Sequence, residues 1–135
     1  MSKENIIDHK EEAALAVAEE EKAKAQPEEG VYIHKFKEPF THNNNTVTEL
    51  AFDWDILTGG DYDAIEAELV REGITLIVPE YTGGFLAHMA VRSCTTKDAN
   101  GLRFVDRGFL RAMPFLDYKV LLGKARVFLL RRGSM

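Results

Sequence analysis

A histidine and a cysteine are the side chains in this sequence best suited to catalytic chemistry. His88 and Cys94 are the right types for a general base and a nucleophile, and both fall in one predicted helix. In a helix of 3.6 residues per turn, a separation of six residues corresponds to a rotation of about 240°, so the two side chains face different ways. Cys94 is therefore interpreted as a small core residue and not as a reactive thiol.

The spacing of the other ionisable residues predicts no metal site and no acid–base pair. No two of the histidines, His9, His34, His42 and His88, have the i, i+4 spacing of a zinc-binding helix. The aspartates within residues 53–63 lack the glycine and the terminal glutamate of a calcium loop, and helix capping explains them. Neither Gly-Gly pair has the spacing of a phosphate-binding loop. We assign no catalytic, metal-binding or cofactor-binding residue.

Length and charge limit the class of protein. The chain has 135 residues, the size of one modest domain, and a formal net charge of −5. An acidic balance argues against general binding to nucleic acid or to an anionic membrane surface. The sequence also lacks an apolar run of the roughly 20 residues that span a bilayer. We expect an intracellular protein with neither a nucleic-acid nor a membrane partner.

The excess negative charge lies in residues 1–30, which hold nine acids and four lysines. Within them, residues 10–26 are rich in strong helix formers. Alanine supplies most of their apolar positions, so a helix there buries little surface. We predict a mobile, acidic, partly helical tail over residues 1–30 and a single folded domain over residues 31–132.

The start of the folded part predicts a β-hairpin. Apolar residues alternate from Val31 onward and again over Thr46–Trp54, and the sequence THNNN (Thr41–Asn45) is typical of the turn between two strands. Pro39 is expected just before the turn, where a missing N–H does least harm. The side chains expected on the inner faces of the two strands are Tyr32, His34, Phe36, Leu50, Phe52 and Trp54.

Three to four helices are predicted to pack with the hairpin, which makes the fold class α+β. Thr58–Asp61 resembles a capping box at the start of the first helix, and Gly73 is placed to end it. The second helix covers Tyr81–Cys94. Between these helices, Ile74–Val78 is either a third short strand or an extended connector.

The closing helix is predicted over Pro114–Arg132, after a short helical turn capped by Asp106. From Lys119 to the end, the chain has five basic residues and no acid. The run Val127–Leu130 puts large apolar groups on several faces of the helix. Either this helix lies at the centre of the core or it contacts another copy or a partner.

The order of these features resembles the tail assembly chaperones of long-tailed bacteriophages and prophages. The resemblance covers about residues 32–131 and leaves the acidic tail aside. It rests on the opening YIHKFKEPFTHNNNTVTELAFDWDILTGGDYDAIE, the apolar helix at Phe85–Cys94 and the closing LRAMPFLDYKVLLGKARVFLL. None of these patterns is catalytic, and their specificity lies in their combination and spacing.

The resemblance implies a non-enzymatic protein without a cofactor. Such chaperones bind the tape measure protein, a long, helical, apolar polypeptide, and keep it soluble until tail tube subunits replace them. The resemblance also implies self-association, the tail tube protein as a further partner, and a place in the cytoplasm of the bacterial host but not in the mature virion. A helical client requires exposed apolar surface, and we assign Phe128, Leu129 and Leu130 as candidate partner-contact residues.

Other classes of function remain open from the residues alone. A structural tail component, such as a tail tube or tail completion subunit, is the main alternative and would remain in mature particles. An enzyme or small-ligand binder requires a concave site with convergent polar groups. A nucleic-acid adaptor would depend on the basic closing helix, whose lysines and arginines are not interleaved with aromatic residues.

Overall fold

The computed structural model describes residues 30–133 and shows an α+β fold, as the sequence predicts. In this part of the chain, an antiparallel hairpin precedes four α-helices and two short 3-10 turns. The elements are β1 (Val31–His42), β2 (Asn45–Asp53), α1 (Gly59–Arg71), α2 (Gly83–Ser93), α3 (Arg107–Ala112) and α4 (Phe115–Gly133). The predicted acidic tail lies outside the described residues, except for Gly30, and remains a prediction.

The hairpin closes on the two-residue turn Asn43–Asn44, within the segment predicted to form it. The φ angles of the two residues are 49° and 65°. A tight hairpin turn of the type that follows strand twist needs both residues in this left-handed region, which asparagine tolerates. Next to the turn, the hydroxyls of Thr41 and Thr46 are joined by a hydrogen bond of 2.7 Å.

An irregularity in β1 accommodates its proline. Lys35 pairs with Glu49 and Phe40 pairs with Val47, so β1 holds three more residues than β2 between these pairs. Pro39 lies in this extra stretch, some residues farther from the turn than predicted, where the ladder of hydrogen bonds is interrupted and a missing N–H does little harm.

The inner face of the hairpin is nearly as predicted. His34, Leu50 and Phe52 are buried, and Tyr32 and Phe36 are half-buried. The exception is Trp54, which was predicted on β2 but begins the 3-10 turn Trp54–Ile56 after the strand. Its ring is still buried and stacks on Phe52, with 5.6 Å between the centroids.

The outer edge of β2 meets the chain that follows α2. The N–H of Thr95 donates to the carbonyl of Ala51 at 2.8 Å, and the N–H of Ala51 donates to the Thr96 hydroxyl at 2.8 Å. Phe52 and Cys94 form an isolated bridge. Of the two alternatives for Ile74–Val78, the structure has the connector, and the strand-like contact with β2 comes from residues 94–96.

Local signals set the ends of α1. Thr58 and Asp61 form the predicted capping box, in which each side chain accepts from the other's backbone N–H. Gly73 adopts a φ of 75° just after the helix, the left-handed conformation expected there. Between these ends, Ile65 and Leu69 are buried.

Helix α2 is the central helix of the described fold. It begins at Gly83 and not at Tyr81, because Pro79–Tyr81 forms a separate 3-10 turn. A Cβ on Gly84 would lie 3.0 Å from side-chain atoms of Leu69 and Ile74, so glycine permits the close approach of α1. Helix α2 also contacts α3, α4 and β2. Its buried residues are Phe85, Leu86, Ala87, His88, Met89, Ala90 and Ser93.

The last two helices begin and end close to their predicted limits. The Asp106 carboxylate accepts from the N–H of Phe109 at 2.7 Å and caps α3 as predicted. The N–H of Tyr118 donates to the carbonyl of Pro114 at 3.0 Å, which starts α4. Helix α4 then continues to Gly133, one residue beyond the prediction.

Asp61 joins the start of α1 to α2. Its carboxylate accepts from the N–H of Thr58 at 2.8 Å and from Nε of Arg92 at 2.7 Å. These two hydrogen bonds hold the pKa of Asp61 below its ordinary value of 3.8, and the one from Arg92 has the larger effect. A carboxylate with a depressed pKa stabilises the fold above its unfolded pKa, and the contribution is lost as the pH falls through its folded pKa.

We therefore expect Asp61→Asn to lower the free energy of unfolding by about 1–2 kcal/mol at neutral pH. The deficit relative to the unsubstituted chain should shrink as the pH falls below about 4, where Asp61 of the unfolded chain becomes protonated, and disappear once the pH has passed the lower folded pKa. Urea unfolding at a series of pH values measures this difference in the free energy of unfolding. Asp63→Asn, at an exposed acid of the same helix, serves as the control. A deficit that stays constant into the acid range would contradict the assignment.

Candidate partner-binding face

Helix α4 buries one face against the rest of the fold. Leu121 and Ala125 are completely buried, and other apolar side chains of the same face are half-buried against the core. These further side chains are Tyr118, Leu122, Phe128 and Leu129. The inward face is therefore the side of α4 that packs on the core.

A buried hydrogen-bond chain fixes α4 against the hairpin. Nε2 of His34 lies 2.8 Å from Oδ1 of Asp117, and Nδ1 of His34 lies 2.8 Å from the hydroxyl of Tyr32. A carboxylate only accepts, so Nε2 donates to Asp117, and Nδ1 of a neutral ring accepts from Tyr32. His34 is 4% exposed. Because a buried polar group is costly without its partners, this chain defines how α4 is rotated on β1.

Basic residues anchor α4 along its two sides. On the hairpin side, the ammonium of Lys124 lies 5.6 Å from the centroid of the Tyr32 ring. On the other side, Nε of Arg126 donates to the carbonyl of Glu80 at 2.8 Å, and its guanidinium lies 5.5 Å from the centroid of the Tyr81 ring. These contacts place positive charge on both flanks of the helix.

The opposite face of α4 is also apolar, and three of its side chains are exposed. Its side chains follow one another at intervals of four, three, four and three residues, which is the heptad spacing of helices that pack along a seam. We call this set the outward stripe: Leu116, Val120, Gly123, Val127 and Leu130. Leu116 is 68% exposed, Val120 45% and Leu130 44%.

The middle and the start of the outward stripe are open. A Cβ built on Gly123 would meet no atom within 4 Å, so the backbone there is accessible to an approaching helix. Phe115, 80% exposed, extends the apolar surface at the start of α4. Nearby, Lys119 is an exposed positive charge. The surface can bind an apolar helix and favours negative charge beside it.

The three candidate contact residues from the sequence do not share one surface. Leu130 lies on the outward stripe. Phe128 and Leu129 are half-buried against the core, and the Phe128 ring lies 6.2 Å from that of Trp54. Leu116 and Val120 were missed as candidates. The four-three spacing that connects them with Leu130 is visible in the sequence, but a second stripe on α4 has similar spacing.

The two residues considered for catalysis, His88 and Cys94, have structural roles. Nε2 of His88 lies 2.9 Å from Oε1 of Glu72, and His88 is 7% exposed. Cys94 is 2% exposed at the end of α2, and burial raises the pKa of its thiol. Side chains of His, Cys, Asp and Glu form no group able to hold a metal ion within the described part of the chain. None of the described helices is both long and apolar enough to cross a bilayer.

Comparison with known proteins found no matching family model, no similar curated protein and no similar solved structure. The resemblance to tail assembly chaperones thus depends on the sequence patterns alone. The outward stripe is the feature of the described fold from which we argue function.

We expect Cys94 to react slowly with a thiol reagent in the native protein, because only the thiolate attacks and burial disfavours it. Ellman's reagent at neutral pH measures the rate. The same chain unfolded in urea is the control and should react at the rate of a free cysteine. Rapid labelling of the folded protein would revive the interpretation of Cys94 as a nucleophile.

Substitutions on the two faces of α4 should differ in their effect on stability. Phe128→Ser should lower the free energy of unfolding by about 2–4 kcal/mol, because it removes a ring that packs on Trp54. Leu130→Ser should change it by less than about 0.5 kcal/mol, since this side chain is on the exposed stripe. Chemical denaturation compares the two variants. Equal losses would show that the outward stripe supports the fold and is not available for a partner.

Proposed function

We propose that this chain is a non-enzymatic tail assembly chaperone that binds a helical, apolar segment of the tape measure protein along the outward stripe of α4. The observation that carries the proposal is the stripe itself, an exposed apolar face on a helix whose other face is already buried. Contiguous apolar surface of this kind is typical of protein–protein interaction sites. Its heptad spacing suits a helical partner.

The anchoring of α4 supports this function. The hydrogen bond between His34 and Asp117 and the contact of Arg126 with Glu80 hold the helix in place on two sides. A partner that binds a rigid helix does not have to order it, so less of the binding free energy is lost. The stripe therefore has the property expected of a preformed docking surface.

The charge around the stripe favours one kind of client helix. Lys119 is exposed beside it, and Lys124 and Arg126 lie on the flanks. A client segment with an apolar face and acidic neighbours would match both the surface and its charge. Salt is then expected to weaken the encounter more than the apolar contact.

The remaining parts of the proposal follow from the chaperone role. The chain acts in the cytoplasm of the bacterial host, releases the client as tail tube subunits assemble, and is absent from the mature virion. The chain is also proposed to self-associate, as the resemblance to tail assembly chaperones implies. No reaction is part of this role.

Co-expression with the tape measure protein tests the proposal. The unsubstituted chain should keep the tape measure protein soluble and copurify with it, whereas Leu116→Ser combined with Val120→Ser should abolish both effects. Val70→Ser combined with Ile77→Ser is the matched control, because it also removes two exposed apolar side chains, but away from α4. Circular dichroism establishes that both double variants are folded.

Two results would contradict the proposal. If the stripe variant solubilises the tape measure protein as well as the control does, the outward stripe is not the client site. If the tape measure protein is indifferent to this chain and the chain is present in purified tails, it is a structural tail component.

A further inference from the structure

We propose that the acidic segment of residues 1–29 docks along the outward stripe of α4 within the same chain and covers it until a partner displaces it. The docking itself does not depend on any client. Its role as a regulator of client binding rests on the proposed function.

The described part of the chain begins beside α4. Gly30 is buried, and its carbonyl accepts a hydrogen bond of 2.7 Å from the N–H of Trp54. The Trp54 ring packs against Phe128, which lies between Val127 and Leu130 of the outward stripe along the helix. Residues 1–29 are therefore attached on the hairpin side of the C-terminal half of α4, next to the inward-facing ring of Phe128.

The length of the segment matches the stripe. From Leu116 to Leu130, the stripe extends over about 21 Å at 1.5 Å per residue. The sequence of residues 10–26 predicts a helix, and 17 residues in a helix extend over about 25 Å. Residues 27–29 remain as a connection of up to about 10 Å. A segment held at Gly30 is thus long enough to cover the stripe once its connection has passed around the hairpin side of α4.

The charges of the two surfaces are complementary. Residues 1–29 contain nine acids and four lysines, whereas α4 contains five basic residues and a single acid, Asp117. That acid is already bonded to His34. Opposite charge on a tethered segment raises its local concentration at the helix, so even weak contacts produce docking.

The shapes of the two surfaces also agree. Alanine is the main apolar residue of the segment, and a helix with small side chains can approach another backbone closely. On the stripe, Gly123 offers open space where such an approach would occur. The shallow apolar face of the segment also explains why a client with larger side chains would displace it, since more apolar area would be buried.

Paramagnetic relaxation in the full-length chain tests the docking. A nitroxide is attached at Ala18→Cys in a chain that also carries Cys94→Ala, and methyl signals are recorded. We expect the methyls of Leu116, Val120 and Val127 to be broadened, while those of Val70 on α1 stay sharp. Broadening of all exposed methyls alike, or of none, would overturn the proposal.

Matched charge variants test whether opposite charge causes the docking. Glu19→Lys combined with Glu20→Lys should remove the broadening of the stripe, as should 1 M salt, where the Debye length falls to about 3 Å. Asp63→Lys combined with Glu66→Lys changes the charge of α1 by the same amount and should leave the broadening intact. Identical spectra for the two double variants would show that the contact is not electrostatic, against the proposal.

A mixing experiment separates docking within one chain from docking between copies. Spin-labelled chain without isotope is mixed with isotope-labelled chain without spin label, and the stripe methyls should remain sharp. Broadening in this mixture would overturn the intramolecular assignment.

Adding a helical peptide from the tape measure protein distinguishes this inference from the proposed function. Loss of the stripe broadening on addition supports both. Persistent broadening with no peptide bound would overturn the client role and leave the docking in place. Peptide binding without any prior broadening would overturn the docking alone.

Discussion

The burial of α2 is the constraint on which the rest of the structure depends. From Phe85 to Ala90, every side chain of this helix is buried, so neighbours must cover it on nearly all sides. Helices α1, α3 and α4 and strand β2 provide that cover. The two buried polar side chains of α2 are hydrogen-bonded: His88 to the carboxylate of Glu72, and Ser93 to the carbonyl of Ala90. These partners lower the cost of burying polar atoms in an apolar interior.

The position of α2 explains why α4 has an exposed apolar face. In a domain of this size, one helix fills the centre and the others lie around it with one side in water. Helix α4 is among the outer ones, and the His34–Asp117 hydrogen bond fixes which side faces in. The outward stripe is thus a consequence of packing combined with a sequence that is apolar on two sides. No described element covers Leu116, Val120 or Leu130.

Features set by neighbouring residues could be predicted from the sequence. The Asn43–Asn44 turn, the Thr58–Asp61 capping box and the Asp106 cap each depend on a few adjacent residues, and each was predicted correctly. The exposed stripe was predicted only in part, because helical periodicity shows two apolar faces on α4 without showing which of them the core covers. Leu130 is exposed, whereas Phe128 is not. The partners of His34 and His88 were missed, since Asp117 and Glu72 are distant in sequence and only the tertiary structure joins them.

The separation of His34 and Asp117 by 83 residues has a consequence for synthesis. On the ribosome, the hairpin is synthesised long before α4. Its inner face can therefore contact α4 only at the end of synthesis. Contacts between such distant residues form slowly because a long loop must close. A nascent chain that pauses before residue 117 exposes Tyr32, His34 and Phe36 together, a surface prone to aggregation. The inner face of the hairpin therefore stays uncovered by α4 on the nascent chain until the last helix has been synthesised.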